Sequence, residues 1–412
     1  MMYRSWNGVC LCGEAGMFPQ DALPVSHPFS PLVILVKRDP LTTRGLYAVS
    51  RPEEADEEEG PACLLPCRKE GTAMPEEICR IIHASGAMVL NTAFQRAFSV
   101  LDAFLKRKKQ GWKVTLVGLG DVGGTILTGL KLLGREIHEI AVYDPYTPLC
   151  ERYEMELNQV LPQREEEPMP RITICPEDEL FHCDVLIFSA TRGVPPLGSR
   201  EKDVRMAQFD ANREMLEKYA QMARAENFCG LFCQVSDPVD HLARSVFLAS
   251  QKNEDGVYDF AGLLPEQVQG FGLGVMAARA RYWAERDGID FSAGRVYGPH
   301  GEGLVVANSS GAAYDEAVSL MLTNRTKEAN LRVRELGFKP YIAPGLSSAA
   351  VSILRLLRGE MHYGAVPLGG TYFGCLNRWT ENGLQVMREE ICPPLLHRIE
   401  AAYTTLKEFG QE

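Results

Sequence analysis

The stretch Lys113–Asp144, KVTLVGLGDVGGTILTGLKLLGREIHEIAVYD, constrains the fold more than any other part of the chain. Lys113–Val117 is a short β-branched run suited to a buried parallel strand. Gly118, Gly120 and Gly123 follow at G-x-G-x-x-G spacing, and helix-period apolar residues run from Thr125 to Leu133. A second apolar run, Ile140–Tyr143, ends on Asp144. This reads as strand, tight turn, helix, strand and acid. The first glycine allows the turn, the second lets backbone approach a pyrophosphate, and the third lets the helix pack on the strand. Free N–H groups at the helix start suit phosphate, and Asp144 is placed to accept from an adenosine ribose. A βαβ unit without nucleotide is the plainer alternative.

Five further strand candidates follow at βα spacing: Ile137–Tyr143, Arg171–Cys175, Asp184–Ser189, Gly230–Val235 and Val268–Gly272. Helical patterns at Asn212–Ala225 and Pro238–Ala249 lie between them. Alternation of this kind predicts an α/β fold with a Rossmann doubly wound parallel sheet over 112–271. From 272 to 412 helices and strands mix: Val275–Glu285, Ala312–Leu336, Ser347–Arg358 and Pro393–Phe409 read as helices. Strands are expected near Gly294, Tyr363–Leu368 and Thr371–Leu376, which together suit a second, α+β domain. Ahead of the nucleotide unit, residues 1–74 read as a small β-containing extension with strands at Leu32–Lys37 and Leu46–Val49. Residues 75–111 read as a helical lead-in.

Net charge is −11 without a basic stripe, which argues against nucleic acid or anionic membrane as the main partner. No apolar run approaches bilayer length and no secretory signal is evident, so a cytoplasmic protein is expected. Twelve scattered cysteines suggest reduced, buried thiols. Cys10-x-Cys12 and Cys63-x3-Cys67 lack the usual zinc spacing, and no metal site is expected.

Six signatures, in one order over roughly Trp112 to Phe409, resemble the L-lactate/malate dehydrogenase superfamily. They are the glycine fingerprint with Asp144; Glu154-Met155-Glu156-Leu157; Gly193-Val194-Pro195 with Arg205 and Asn212 beyond it; Val235-Ser236-Asp237-Pro238-Val239-Asp240; Val275-Met276-Ala277-Ala278-Arg279-Ala280; and Gly298-Pro299-His300-Gly301. The resemblance implies hydride transfer between NAD and a small 2-hydroxy/2-oxo acid, in a homodimer or homotetramer. It implies a cofactor site at Gly118, Gly120, Asp121, Val122, Gly123, Asp144, Ser189, Ala190, Val235 and Asp237. His300 would be the acid/base, since a histidine near neutrality serves both directions. Arg279 would grip the substrate carboxylate, with Arg205 brought in by a closing loop and Ser347 lining the pocket. Arg192 and Arg200 compete with Arg205, and Arg200 is a further substrate candidate. Asp144 favours NAD over its 2′-phosphorylated form.

Two positions depart from the family pattern. Met276 stands where the family has the aspartate that orients the histidine, and a thioether is a weak, uncharged acceptor. Asp237 stands where the family has a substrate-contacting asparagine. Either Asp237 supplies the carboxylate missing at Met276, or the pair of changes marks a different substrate. In the substrate loop Pro196-Leu197 replace the basic residue of the malate type, which favours a small or apolar substrate side chain. The alternative function is an NAD(H)-binding homologue with impaired catalysis and a sensory or structural role. A third, NAD-assisted glycoside chemistry, lacks a metal-ligand pattern.

Overall fold

The computed structural model describes the chain except residues 70, 108–110, 163, 165–166, 193–203 and 410–412; for 204–208 it describes the backbone alone. The N-terminal region forms β1 (Met2–Trp6), β2 (Val9–Gly13), β3 (Leu23–Pro24), β4 (Leu32–Val36), β5 (Leu46–Val49), α1 (Glu76–Ser85), β6 (Ala87–Asn91) and α2 (Ala97–Lys106). The next part alternates: β7 (Trp112–Val117), α3 (Asp121–Leu133), β8 (Ile137–Tyr143), α4 (Thr147–Asn158), β9 (Arg171–Ile174), β10 (Val185–Phe188), α5 (Val204–Ala225), β11 (Leu231–Gln234), α6 (Val239–Ser250) and β12 (Val268–Gly270). The remainder comprises α7 (Leu273–Arg286), β13 (Arg295–Tyr297), β14 (Val305–Ala307), α8 (Glu316–Glu335), a π-helical turn at Pro344–Ala350, α9 (Val351–Leu357), β15 (His362–Leu368), β16 (Thr371–Thr380), β17 (Gly383–Val386) and α10 (Pro393–Glu408).

The alternating part is a parallel sheet in spatial order β9-β8-β7-β10-β11-β12. Numbered from β7 as the first strand this is 3-2-1-4-5-6, the doubly wound order whose crevice opens at the carboxyl ends of the first and fourth strands. Its inner strands β10, β11 and β12 are buried at every residue, and helices cover both faces. One apolar cluster joins Ile126, Leu127 and Leu130 of α3 and Ile353 of α9 to Val114, Leu116 and Ile140 of the sheet. The other joins Leu216 and Ala220 of α5 and Leu242 and Val246 of α6 to Leu186, Phe188 and Phe232. All five strands expected after the first one are present. Beyond β12 the sheet continues antiparallel through β15, β16 and β17.

The N-terminal region extends this same sheet. β2, β4 and β6 run parallel, β5 lies antiparallel to β6, and β5 meets β17 at Tyr47 and Leu384. Val33, Leu46, Met88 and Leu90 share a core with Phe188, Phe232 and Leu264 of the nucleotide unit. At this seam Glu266, fully buried, accepts from the N–H groups of Gly45 and Leu46 at 2.9–3.0 Å. Burial raises its carboxyl to about 7.

Two readings of this region need correction. The helical reading of Ile78 to Leu105 misses β6, because Ala87–Asn91 is a five-residue apolar run whose period cannot tell a buried strand from a buried helix turn. β1 and β2 were also missed, although Asn7-Gly8 between them carries the two-residue hairpin signature. Asn7 and Gly8 take φ of 45° and 84°, which that turn requires.

Candidate functional site at the carboxyl ends of the parallel strands

Each glycine of the fingerprint meets a different constraint. Gly118, at the end of β7, has φ +89°, and a Cβ there would lie 2.6 Å from the Ala190 nitrogen. A Cβ on Gly123 would lie 1.9 Å from the Gly118 carbonyl oxygen, so only glycine lets α3 seat against β7. A Cβ on Gly120 would meet nothing within 4 Å. There the backbone is open on its outer side, as a cradle for an approaching phosphate requires.

Asp144, after β8, accepts the Leu119 N–H at 2.9 Å and the Tyr146 N–H at 3.0 Å. Each oxygen keeps lone-pair capacity for a ribose hydroxyl. The Ser189 hydroxyl donates to the Gly118 carbonyl at 2.9 Å, so it braces the turn from within. Ala190 packs against Gly118; Val122 and Val235 are half-buried nearby in sequence order at the same strand ends. Asp121, in the first turn of α3, pairs with Lys339 at 3.1 Å, which offsets its charge beside the cradle.

From Ala190 the contacts run on toward His300. The Ser236 hydroxyl donates to the Ala190 carbonyl at 2.6 Å, and the next residue is Asp237. Fully buried Asn212 on α5 donates to the Asp237 carbonyl at 2.8 Å and accepts the Arg192 N–H at 2.9 Å, tying the segment after β10 to the one after β11. Asp237 Oδ1 lies 3.7 Å from His300 Nε2, with 54% of the Asp237 side chain and 15% of the His300 side chain exposed.

The His300 backbone is pinned as well. Its N–H donates to Asp240 Oδ2 at 2.8 Å, and a Cβ on Gly272 would lie 2.7 Å from the His300 Cβ. Gly272 caps α7, where Ser348 donates to the Gly272 carbonyl at 2.6 Å and accepts the Val275 N–H at 2.9 Å.

Arg279 lies two turns into α7 and is buried. Its Nη2 donates to Asn330 Oδ1 on α8, and its Nη1 lies 3.8 Å from the Met276 sulfur. Burial lowers the guanidinium to about 10, while the Asp237 charge pulls the other way. Met276 is buried one turn earlier on the same helix. The fold therefore gathers Asp237, His300 and Arg279 into one electrostatic cluster, with Met276 behind Arg279.

Arg192 pairs with Glu214 at 2.7 Å on the surface. Arg205 belongs to the first turn of α5, described as backbone only, and Arg200 with Gly193-Val194-Pro195 and Pro196-Leu197 lies outside the described residues. Ser347 is half-buried in the π-helical turn, and its carbonyl accepts from the Ser352 hydroxyl. Among the described residues no three His, Cys, Asp or Glu side chains gather as for a metal, and Cys10 and Cys12 sit in a different apolar cluster from Cys63. No described helix is long and apolar enough to cross a membrane.

Sequence reasoning gives Asn330 no such role, and reads Ser348 with Ser347 as a pocket-lining hydroxyl pair or a helix cap. A mid-helix asparagine carries no signal of its own. Asp240 had one, an acid in the first turn of α6, but that pattern also marks any helix start.

No family model matches the chain. Among curated proteins it is similar to malate dehydrogenase of Sulfurimonas denitrificans, 25% identical over 279 residues, covering 64% of this chain and 81% of that one. Among solved structures it is similar to a lactate dehydrogenase, MGS-M5, from a Medee basin deep-sea metagenome library (TM-score 0.58, 16% identity, 73% of this chain and 98% of that chain). It is similar also to the minor L-lactate dehydrogenase of Enterococcus mundtii (0.59, 18%, 73% and 97%). A third is malate dehydrogenase of Archaeoglobus fulgidus in complex with NADH (0.59, 18%, 72% and 97%). At these identities the structural likenesses speak for the fold alone. Taken with the curated sequence relative and the ordered motifs that led here, they support a divergent member of the L-lactate/malate dehydrogenase superfamily.

Proposed function

We propose that the protein is an NAD(H)-dependent oxidoreductase of a small 2-hydroxy/2-oxo acid, with the His300–Asp237 pair exchanging the proton and Arg279 holding the carboxylate. The observation that carries this reading is the unbroken path of contacts from Gly118 through Ala190 and Ser236 to Asp237 and His300. It sets a phosphate cradle and an acid/base pair on one rim of the sheet.

The residues present fit the cofactor. Gly120 is open to approach, Asp144 has acceptor capacity for a ribose, and its carboxylate would repel a 2′-phosphate. The nicotinamide supplies hydride transfer; the chain supplies position and charge. Buried Arg279, its second guanidinium nitrogen fixed by Asn330, presents a pre-oriented cation to a substrate carboxylate. Arg205, Arg200 and Ser347 complete the proposed substrate side, and Asp121, Val122, Gly123, Ser189 and Val235 the cofactor side. The proposed units are 1–74, 75–111, 112–271 and 272–412, and a homodimer or homotetramer is the expected assembly.

A second reading, a homologue with impaired catalysis that still binds NAD(H), is favoured by one observation: His300 Nδ1 is buried and meets no hydrogen-bond partner among the described residues, where a carboxylate would orient the ring. Titration of the full chain by NADH fluorescence, followed by a panel of 2-oxo acids, separates the two. Binding with turnover supports the first reading. Binding without turnover on any acid supports the second, and no binding overturns both.

A further inference from the structure

The two ring nitrogens of His300 have unlike surroundings. Nε2 faces the half-exposed carboxylate of Asp237 at 3.7 Å. Nδ1 is buried and meets no hydrogen-bond partner among the described residues. The ring has little freedom to find one, since Asp240 holds its backbone N–H and Gly272 presses on its Cβ and Cγ.

These surroundings decide where the proton sits. A proton on Nδ1 would be a buried donor without acceptor, an unfavourable arrangement, and would turn the Nε2 lone pair toward a carboxylate. A proton on Nε2 points at Asp237 instead. Neutral His300 is then an Nε2–H donor, and its lone pair is on the buried side, out of reach of a substrate. Taking a second proton would place it on the same partnerless Nδ1.

We infer that the proton-accepting group of this site is the Asp237 carboxylate, and that His300 is a positioning residue that directs Nε2–H toward it. The inference rests on the oxidoreductase reading above. In the oxidative direction an Asp237 oxygen would take the substrate hydroxyl proton as the O–H electron pair forms the carbonyl, and a bound nicotinamide would supply the acceptor for the hydride leaving the carbon. In reduction the Asp237 carboxyl returns the proton to the forming hydroxyl. The roles of acid/base and orienting partner are thereby exchanged between carboxylate and imidazole. The cluster thus has a carboxylate facing Nε2 and, among the described residues, no hydrogen-bond acceptor at Nδ1.

Two measurements test this. In the full-length chain labelled with 15N-histidine, with His300 assigned by loss of its signals in His300→Gln, the ring should show the Nε2–H tautomer at neutral pH. An Nδ1–H tautomer overturns the inference, whether or not any substrate is turned over. With a 2-oxo acid that supports turnover, Asp237→Asn should lower kcat by about 10²–10⁴, as loss of a general acid/base does. His300→Ala should fall about a hundredfold, and His300→Gln, whose side-chain amide can donate to Asp237, should recover to within about tenfold of the parent. If His300→Gln is as inactive as His300→Ala while Asp237→Asn keeps most of its turnover, histidine is the acid/base and the assignment fails. Failure of every substrate would count against the function proposed above, leaving the tautomer to judge this inference alone.

Discussion

The proposed phosphate cradle and the proposed proton-exchange site lie on the same rim of the sheet but are built in opposite ways. The cradle is local: Gly118, Gly120, Gly123 and Asp144 fall within one βαβ unit, and each glycine answers to backbone a few residues away. The proton-exchange site is assembled. Asp237 follows β11, His300 follows β13, Arg279 lies on α7 and its partner Asn330 on α8. A local device is specified by residue type and spacing. An assembled one depends on how separate elements pack, so it can change chemistry while the fold is kept.

The largest effect is expected from Gly123→Val. Its side chain would collide with the Gly118 carbonyl, and nucleotide affinity should fall about a thousandfold with a loss of thermal stability. Gly120→Ala, which meets nothing in the fold, should leave the melting temperature within a degree or two while lowering nucleotide affinity about tenfold. Equal destabilisation by both, measured by calorimetry, would break the division of labour among the glycines.

Glu266 extends the comparison to another assembled contact, the seam with the N-terminal strands. Its folded carboxyl is raised from an ordinary 4.5 to about 7 by burial. The folded state therefore holds a proton that the unfolded state releases. The stabilisation this provides is full below pH 4.5, is lost as pH rises to 7, and is flat beyond. The shift corresponds to about 3 kcal/mol. Denaturant titrations between pH 4.5 and 8 should show that slope in the parent and lose it in Glu266→Gln; an unchanged slope would place its origin elsewhere.

Arg279→Lys keeps the charge but loses the planar fork that Asn330 orients. It should lower kcat/KM by about a hundredfold, mainly through KM, with NADH affinity within about twofold. Parallel losses in both would mean that the substrate and cofactor sides are not separable. Lys339→Ala should do least. The Lys339 and Asp121 side chains are 81% and 50% exposed, so a change of about twofold in nucleotide affinity, shrinking with added salt, is expected from titration.

Much of the fold was legible because apolar period and glycine spacing act over short range. The strand series from Lys113 to Gly272 could be read for that reason, as could the hairpin at Asn7-Gly8 had its turn been weighed. The run Ala87–Asn91 was not, since five apolar residues pack equally well in a strand or a helix turn and only neighbouring β4 and β5 decide. In the site, His300, Asp237 and Arg279 stood out by type and motif. Their mutual placement did not, and Asn330 became visible only once α7 packed on α8.

The sequence by itself determined the doubly wound sheet and its cradle, because positive φ at Gly118 and the missing Cβ at Gly123 are demands on residue identity. Only the tertiary structure decided that Asp237 lies beside Nε2 of His300 while Nδ1 is buried with no hydrogen-bond partner among the described residues. Which nitrogen faces which carboxylate depends on ring orientation, and that is set by Gly272 and Asp240, contacts between elements that no local pattern encodes.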